Sequence, residues 1–477
     1  MNSKAKMRKT RIVCTLGPAS GSSEMIEKLI AEGMDVARLN FSHGDREQHR
    51  KTIRLIRSLS RKTGKEIGIL QDLGGPKIRL GQLGREKLVL RHGDKVRLVV
   101  GDHAEGEDIP VNYPSLLEDI EEGNPILLAD GTVQFTVLEK RPKEAICEVE
   151  AGGTIYSRKG VNLPWSRLSV LAFTDKDRED LRVGLEEKVD FVALSFIRSL
   201  KDIEEPRRIL SEASCRPMLV AKIEKREAVE NFEQILSAVD AVMVARGDLG
   251  VEMPLEEAPI IQKRIIRITR QAGKPVITAT QMLGSMLDRP RPTRAEATDV
   301  ANAILDGTDA LMLSEETAMG QYPVEAVSTL DRIARATEPY IPERAYLEEE
   351  ISAMLHTIPA GISRAACLLA LDLKAAAIVA TSSSGKTARL VSRFRPSAPI
   401  MALTDQIETQ RQMSLSWGVT PHLVSAFVDT DQMFSTARAL AMEKGMVEAG
   451  DSIVITAGVP VAMSGTTNLL KVMEIGK

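Results

Sequence analysis

Short apolar runs along this chain alternate with longer stretches whose apolar residues recur at helical spacing. The short runs are typical of buried strands, and the amphipathic stretches predict helices. Eight runs follow this rhythm: Arg11–Leu16, Asp35–Leu39, Ile67–Gln71, Phe191–Ser195, Met218–Ile223, Ala241–Ala245, Val276–Ala279 and Ala310–Leu313. Eight strand–helix units in roughly 240 residues have the size of a (β/α)8 TIM barrel. The pattern therefore predicts an α/β protein built on such a barrel.

The rhythm is lost between Pro76 and about Leu171. Apolar and polar residues alternate there, and apart from Ser115–Glu122 no useful helical pattern is evident. Alternation with frequent turn residues indicates antiparallel strands. We interpret residues 75–171 as a small all-β, barrel-like lid inserted between the two parts of the barrel domain, residues 1–74 and 172–341.

A second α/β region follows Ile341. It contains four further strand candidates, Ala377–Thr381, Ile400–Leu403, His422–Val424 and Ile453–Thr456. We predict that residues 342–477 form a C-terminal α/β domain. A chain of 477 residues is also long enough for about three domains.

Composition excludes several classes of protein. Hydrophobic and charged contents of 43% and 27% are ordinary for a soluble globular chain. A net charge of −3 gives no support to nucleic-acid binding. Four scattered cysteines predict reduced thiols, and neither a signal-peptide core nor a membrane span is evident. We expect a cytoplasmic protein without nucleic-acid or membrane partners.

Charged residues cluster where two of the predicted strands end. Lys222 and Glu224 point to the same side of one strand because side chains alternate, and Asp248 follows the next strand. In α/β enzymes the chemistry lies at the carboxyl ends of parallel strands. Two carboxylates suit Mg²⁺, and a lysine beside them would neutralise charge developing on a substrate. A solvated strand end with an ordinary salt bridge is the alternative.

Longer motifs in this chain resemble those of the pyruvate kinase family. They occur in order from one end to the other: RLNFSHG (Arg38–Gly44), GPKIRLG (Gly75–Gly81), RKGVNLP (Arg158–Pro164), KIEKREAVEN (Lys222–Asn231), VARGDLGVE (Val244–Glu252), TATQML (Thr278–Leu283), RPRPTRAEATDVANA (Arg289–Ala303) and LMLSEETAMG (Leu311–Gly320). The resemblance implies a barrel interrupted after its third strand by a β lid. It also implies phosphoryl transfer from phosphoenolpyruvate to ADP with Mg²⁺ or Mn²⁺, the last step of glycolysis, in a homotetramer.

The resemblance assigns roles to individual residues. Glu224 and Asp248 would hold the metal, while Lys222 and Arg38 would face the transferring phosphoryl group. The backbone at Gly247 and Asp248, together with Thr280, would bind the substrate carboxylate. Thr280 and Ser314 would belong to the network that protonates enolpyruvate, and the group that delivers the proton stays open.

Nucleotide and monovalent-cation sites are also implied. Asn40, Phe41, Ser42 and His43 would lie at the nucleotide side, with Arg79 and Lys159 reaching from the hinge and the lid. Asn40, Ser42, Asp72 and the carbonyl of residue 73 would hold a monovalent cation.

Two positions depart from the pattern of K⁺-dependent members of this family. Leu73 replaces a threonine, and Lys77 replaces a glutamate. A lysine ammonium is a compact charge on a long stem, so Lys77 could replace the ion. We expect that K⁺ is not required. In the alternative, Lys77 is a surface cation and K⁺ still binds Asp72.

A serine-rich loop in the C-terminal domain is a second candidate site. It comprises Thr381, Ser382, Ser383, Ser384, Gly385, Lys386 and Thr387. The loop is close to a Walker motif, but Ala380 takes the place of the first glycine, and a degenerate P-loop is a weak signal. By resemblance we favour an allosteric site for a phosphorylated effector. For the loop, the alternatives are a P-loop nucleotidase and a plain strand–helix turn. For the whole protein, the alternative is a non-catalytic scaffold on the same fold.

Overall fold

The first three strands of the barrel are adjacent and parallel. A computed structural model describes residues 7–129, 131–166, 168–349, 356–461 and 466–476. It places β1 at Arg11–Thr15, β2 at Val36–Asn40 and β3 at Gly68–Asp72. Helices Ser23–Glu32 and Arg46–Thr63 connect them, each begun by a side chain that accepts from a backbone N–H of the first turn.

The insert is a separate β domain with its own apolar core. A six-stranded sheet and a two-stranded sheet make up this lid. Its one helix among the described residues, Leu116–Asp119, is shorter than the predicted Ser115–Glu122. The strands are β4 (Lys87–Leu90), β5 (Lys95–Val100), β6 (Ile109–Val111), β7 (Pro125–Leu128), β8 (Val133–Lys140), β9 (Glu144–Ala151), β10 (Gly153–Tyr156) and β11 (Val161–Asn162).

Five more parallel strands close the barrel. The closed order is β1-β16-β15-β14-β13-β12-β3-β2, which confirms the predicted (β/α)8 barrel with a β insert after its third strand. These strands are β12 (Phe191–Leu194), β13 (Met218–Ile223), β14 (Ala241–Ala245), β15 (Val276–Ala279) and β16 (Ala310–Leu313).

The helices of this second part differ in places from the sequence pattern. The single helix predicted between β13 and β14 is interrupted at Asn231, whose Nδ2 donates to the carbonyl of Arg198 at 3.0 Å. The helix after β12, predicted without bounds, is Lys201–Glu212. The main helices are Asp175–Glu186, Lys201–Glu212, Arg226–Glu230, Phe232–Ala238, Arg246–Glu252, Ala258–Gln271, Arg294–Leu305, Glu315–Ala318, Pro323–Thr337 and Glu343–Glu348.

The C-terminal region is an α/β sheet, as predicted. Its strands are β17 (Ala377–Thr381), β18 (Ile400–Thr404), β19 (Val419–Leu423), β20 (Ser452–Gly458) and β21 (Thr467–Glu474). β19 begins before the predicted His422–Val424, and β21, antiparallel to β20, was not predicted. The main helices are Ile358–Asp372, Lys386–Ser392, Ile407–Gln412 and Thr430–Glu443.

This domain packs against the end of the barrel where the strands begin. Arg11, the first residue of β1, donates from Nε to the carbonyl of Ser416 at 2.9 Å. Trp417 N donates to Asp309 Oδ1 at 3.1 Å, just before β16. Leu415 joins the apolar cluster inside the barrel. The carboxyl ends of the strands are thereby left facing the lid. Within the described ranges, no helix is long and apolar enough to cross a membrane.

Candidate active site

A lysine at the carboxyl end of β13 joins two carboxylates. Lys222 Nζ lies 2.8 Å from Glu224 Oε1 and 3.3 Å from Asp72 Oδ1. It also donates a hydrogen bond of 2.8 Å to Ser195 Oγ. Burial alone would lower the pKa of Lys222, but Asp72 and Glu224 overcome this effect and raise it above its usual value. The ammonium therefore stays charged between β3 and β13.

Arg38 on β2 joins the same cluster through Asp72. The register of β2 and β3 pairs Asn40 with Asp72 and so brings the Arg38 guanidinium to this carboxylate. Arg38 Nε donates to Asp72 Oδ2 at 2.7 Å, and Nη1 donates to Thr15 Oγ1 at 2.9 Å. Burial would raise the pKa of Asp72, but Lys222 and Arg38 together lower it. Asp72 thus bridges the two cations.

Glu224 is a carboxylate without full charge compensation. Burial raises its pKa to about 7, Lys222 opposes this rise, and the charge of Asp248 adds to it. Phe196 N donates to Glu224 Oε2 at 2.6 Å. Phe196 has a φ of 55°, a left-handed conformation that is strained for a bulky residue. The carboxylate is thus positioned by a backbone segment held in an uncommon conformation.

Asp248 follows β14, as predicted, and lies in a short helix. β14 ends at Ala245 and the helix Arg246–Glu252 begins at once, so Asp248 lies in its first turn, not at the end of an extended strand. It lines an open cleft of about 230 Å³ between the barrel and the lid. The same cleft is lined by Lys77, Arg79, Phe196, Arg198 and Lys225.

The segment after β15 is strained and held from the neighbouring helix. Thr280 and Gln281 have φ values of 67° and 53°. Thr280 Oγ1 accepts from Gly247 N at 2.7 Å, and Arg246 Nη2 donates to the Thr280 carbonyl at 2.8 Å. A Cβ built on Gly247 would lie 3.5 Å from Thr280 Oγ1, an ordinary contact. The described protein atoms therefore do not require a glycine at position 247.

Ser314 presents an unbonded hydroxyl directly after β16. Its N–H donates to Glu316 Oε2 at 2.7 Å, whereas its Oγ is buried and has no hydrogen-bond partner in the described part of the chain. Buried hydroxyls are normally satisfied, so such an atom is suited to bond to a ligand or to water.

The side chain of Phe41 is buried and packs within the protein. Its side chain is buried and stacks on His49 with ring centroids 4.0 Å apart. Its N–H donates to the Asp72 carbonyl at 2.9 Å, and its own carbonyl accepts from Lys176 Nζ at 2.7 Å. The described contacts of Phe41 are therefore all within the protein, and its side chain has a packing role.

The other predicted nucleotide-side residues lie nearer the surface. Asn40 Oδ1 accepts from Ser42 N at 3.1 Å. The exposed His43 is in the field of nearby cations. Partial burial lowers its pKa, as do the charges of Lys77 and Arg79. Arg79 lines the cleft. Lys159 is exposed on the lid and is not among the residues that line the cleft.

Two residues at the predicted monovalent-cation position have distinct surroundings. The carbonyl of Leu73 accepts from Ser195 Oγ at 2.7 Å, so it is already bonded. Lys77 is exposed and lies within electrostatic reach of Asp72 and Asp248. Partial loss of hydration lowers the pKa of Lys77, as do the neighbouring cations, while the two carboxylates oppose that shift.

The carboxylate pair fits a metal that takes few ligands from the protein. Across the described ranges, no group of three or more His, Cys, Asp or Glu side chains could hold a metal ion. Mg²⁺ usually binds one or two carboxylates and completes its coordination with water and substrate oxygens. The raised pKa of Glu224 indicates that this pair would gain from an added positive charge.

The serine-rich loop of the C-terminal domain borders a second cavity. A pocket of about 70 Å³ is lined from the loop by Thr381, Ser382, Ser383 and Thr387. Thr387 Oγ1 lies 2.5 Å from Thr467 Oγ1 on β21. The loop residues of the prediction thus meet at one pocket, apart from Ser384, Gly385 and Lys386.

Lys386 lies outside this pocket. It lines a different cleft, between the barrel and the C-terminal domain. Asp405, which directly follows the neighbouring strand β18, does line the loop pocket, although no such aspartate was found by sequence. A P-loop needs its lysine at the phosphates. The position of Lys386 therefore argues against the P-loop nucleotidase alternative.

Several residues around the site were missed from sequence. Ser195 bonds to Lys222, Thr15 to Arg38, and Arg246 to Thr280. Ser195 and Thr15 lie at the ends of predicted strands, and that position alone could have marked them as candidate site residues. The partner that each would contact depends on barrel order and register, which periodicity does not reveal.

Comparisons with known proteins agree with this geometry. A family model described as pyruvate kinase, barrel domain, matches residues 7–327, and one described as pyruvate kinase, alpha/beta domain, matches residues 360–473. A pyruvate kinase of Geobacillus stearothermophilus is 46% identical over 472 residues, which is 98% of this chain and 80% of the relative.

Two further relatives carry the same name. A pyruvate kinase of Staphylococcus aureus is 46% identical over 474 residues, covering 98% of this chain and 81% of the relative. The crystal structure of a pyruvate kinase from Cryptosporidium parvum superposes with a TM-score of 0.92 at 38% identity. It covers 98% of this chain and 96% of that one.

Proposed function

The chain belongs to the pyruvate kinase family and is a phosphotransferase, and on that premise we propose how its residues transfer a phosphoryl group from phosphoenolpyruvate to ADP. The reaction consumes one proton and yields pyruvate and ATP. The observation that carries the proposal is Lys222, held between Glu224 and Asp72 at the carboxyl end of the barrel. Phosphoryl transfer needs positioning and charge neutralisation more than covalent chemistry, and this cluster supplies both.

Glu224 and Asp248 would hold Mg²⁺, on which this family generally depends. The bound ion would neutralise charge on the phosphoryl and substrate oxygens. Phe196 N fixes one oxygen of Glu224 at 2.6 Å and leaves Oε1 directed towards Lys222. The chain thus orients the carboxylate before any ligand arrives.

Lys222 and Arg38 would face the transferring group. The ammonium stabilises negative charge that grows on the phosphoryl and enolate oxygens, an effect that is large in a buried site. Arg38 offers a planar fork that matches phosphate geometry. Asp72 accepts from Arg38 and pairs with Lys222, so it acts as a positioning residue that sets the distance between the two cations.

Thr280 and Ser314 would belong to the proton-delivery network. Thr280 Oγ1 already donates to the Ala279 carbonyl at 2.6 Å and accepts from Gly247 N. The Ser314 hydroxyl has no such commitment among the described residues. Ser314 is therefore the hydroxyl better placed to bond to a water or to enolpyruvate. The backbone at Gly247 and Asp248, with Thr280, would receive the substrate carboxylate.

The nucleotide would enter from the lid side. Asn40, Ser42, His43 and Arg79 lie there, and Lys159 could reach it only from the exposed surface of the lid. Phe41 would support this side by packing. Asn40, Ser42, Asp72 and the Leu73 carbonyl form the family's monovalent-cation position, and we propose that Lys77 replaces the ion.

The pocket bordered by Thr381, Ser382, Ser383 and Thr387 would bind a phosphorylated effector. Hydroxyl and backbone N–H groups are suited to a phosphate. We further propose that the enzyme is an allosterically activated homotetramer of the cytoplasm, as the family resemblance implies.

A coupled assay for pyruvate tests the proposed function. Purified protein, phosphoenolpyruvate and ADP should give pyruvate only when Mg²⁺ or Mn²⁺ is added. Glu224→Gln should raise the Mg²⁺ concentration needed for half-maximal rate, and Glu118→Gln on the lid is the matched control. Equal Mg²⁺ requirement in Glu224→Gln and wild type would contradict the assigned metal site. If the wild type formed no pyruvate in a metal-dependent way, the non-catalytic scaffold alternative would be favoured.

A further inference from the structure

Buried arginines meet where the C-terminal domain packs on the barrel. A narrow cavity lies between the two, at the end of the barrel opposite the candidate active site. Its barrel side is formed by the loop that leads into β15 and the residue before β16. Its charged lining residues are Arg270, Lys274, Asp309, Arg389, Arg393 and Arg395.

Nitrogen atoms of four of these arginines lack hydrogen bonds. Arg270 Nε, Arg389 Nη1 and Arg395 Nε are buried without a partner among the described residues, as are both Nε and Nη2 of Arg393. The exposed fraction of Arg270, Arg393 and Arg395 is 3%, 4% and 2%. Buried polar groups are normally satisfied, so several unsatisfied donors around one cavity indicate a missing acceptor.

Nearby carboxylates compensate only part of this charge. Asp309 pairs with Arg395 at 3.0 Å, and Glu349 pairs with Arg270 at 2.5 Å. Arg389 and Arg393 make no salt bridge within the described part of the chain, and their side-chain bonds go to backbone carbonyls. Burial lowers the pKa of Arg393 to about 10, which agrees with an uncompensated positive charge.

We propose that this cavity is a binding site for the phosphate group of a small molecule, held by Arg389, Arg393 and Arg270. Guanidinium groups donate to phosphate oxygens in pairs, and phosphate supplies several acceptors with a matching negative charge. No step of the proposed phosphoryl transfer uses this site.

A larger cleft adjoins the cavity and gives the ligand room. It has a volume of about 360 Å³ and shares Gly273, Lys274 and Arg389 with the cavity. Arg207, Arg216 and Lys386 add positive charge there, against the single carboxylate of Asp240. The organic part of a phosphomonoester would lie in this cleft with its phosphate in the cavity.

The site is separate from the serine-rich loop pocket. The residues that line the loop pocket are all different from those that line the cavity and its adjoining cleft. Its ligand would contact both the barrel and the C-terminal domain and so hold them together. β15 and β16 also begin beside this cavity and are directly followed by Thr280 and Ser314, so the bound anion would stabilise the strands that position two candidate site residues.

Inorganic phosphate is the probe that tests the proposal. Calorimetric titration and thermal unfolding of the full chain at constant ionic strength should show one saturable site that raises Tm. Because charge-assisted hydrogen bonds are strong, Arg393→Met should weaken phosphate binding about tenfold to a hundredfold. Arg389→Met should weaken phosphate binding similarly, and it is the variant to test if Arg393→Met does not fold. The exposed Arg438→Met is the matched control and should bind as wild type.

Two further variants separate the other phosphate sites. Binding should survive in Arg38→Met, which removes a guanidinium from the active site, and in Ser383→Asp, which places a negative charge in the loop pocket. Glycerol 3-phosphate binding tighter than phosphate would indicate a phosphomonoester ligand, and equal binding would indicate free phosphate. Unchanged phosphate affinity in both Arg389→Met and Arg393→Met would overturn the proposal. If phosphate binding were lost only in Ser383→Asp or only in Arg38→Met, the phosphate would bind in the loop pocket or the active site, and the proposal would also be overturned.

Discussion

Reversing the charge of Lys77 should create a dependence on K⁺. Lys77 lies within electrostatic reach of the carboxylates Asp72 and Asp248, and its positive charge offsets part of their negative charge. Lys77→Glu removes one positive charge and adds one negative charge beside Asp72 and Asp248. A monovalent cation would then restore part of the balance.

The size of the effect follows from distance and screening. At a separation of about 10 Å and an effective dielectric constant of about 20, one unit charge is worth roughly 1.7 kcal/mol. Lys77 is exposed, so solvent screening reduces the effect of the two-unit change to about 1–2 kcal/mol. Turnover of Lys77→Glu without K⁺ should therefore fall roughly 5-fold to 30-fold.

The assay compares turnover in K⁺ with turnover in tetramethylammonium at equal ionic strength. Wild type should give a ratio near one, and Lys77→Glu should be slow in tetramethylammonium and recover in K⁺. Lys87→Glu, on the exposed face of a lid strand, repeats the charge change away from the cleft and should match wild type. Strong K⁺ activation of the wild type would refute the reasoning, and so would a K⁺-insensitive defect in Lys77→Glu.

Three other predictions follow from the contacts of single residues. Burial raises the pKa of Glu224 in the folded protein to about 7. The contribution of this carboxyl group to the free energy of unfolding is therefore fully present below pH 4.5 and is lost as the pH rises through about 7. The metal-free Glu224→Gln variant should therefore gain stability relative to wild type between pH 5 and pH 8, by up to about 3 kcal/mol in thermal unfolding, and a constant difference would contradict this. Arg38→Lys should lower kcat/KM about tenfold to a hundredfold, because an ammonium cannot bond to Asp72, Thr15 and a phosphate as the fork does. An unchanged value would remove Arg38 from the site. Ser383→Asp should abolish activation by a phosphorylated effector while maximal turnover stays near wild type, whereas Lys386→Ala should retain activation because Lys386 lines another cleft; the reverse pattern would assign the effector phosphate to Lys386.

Strand positions could be predicted because burial leaves a direct trace in sequence. Ala241–Ala245, Val276–Ala279 and Ala310–Leu313 have the same bounds in the sequence prediction and in the structure. Apart from Thr278 these runs are apolar, and they are buried on both faces. The antiparallel β21 was missed because its alternation is weak and several of its side chains are exposed.

Contacts within the site were harder to predict because they depend on register. Lys222 and Glu224 could be placed together from strand alternation alone. The bridge from Lys222 through Asp72 to Arg38 joins three strands, and only the closed order of the barrel brings them together. The separation of Lys386 from the loop pocket likewise depends on how the C-terminal domain packs on the barrel.

Phosphorus NMR of the complete reaction tests the central claim most directly. With Mg²⁺, the signal of phosphoenolpyruvate should be replaced by the γ-phosphorus signal of ATP, one for one with pyruvate formed. Lys222→Met keeps the length of the side chain but removes its charge, and it should slow this transfer about 100-fold to 1000-fold. Substrate affinity should change much less, because the lost interaction is strongest in the transition state. Transfer at the wild-type rate in a folded Lys222→Met protein would contradict the account.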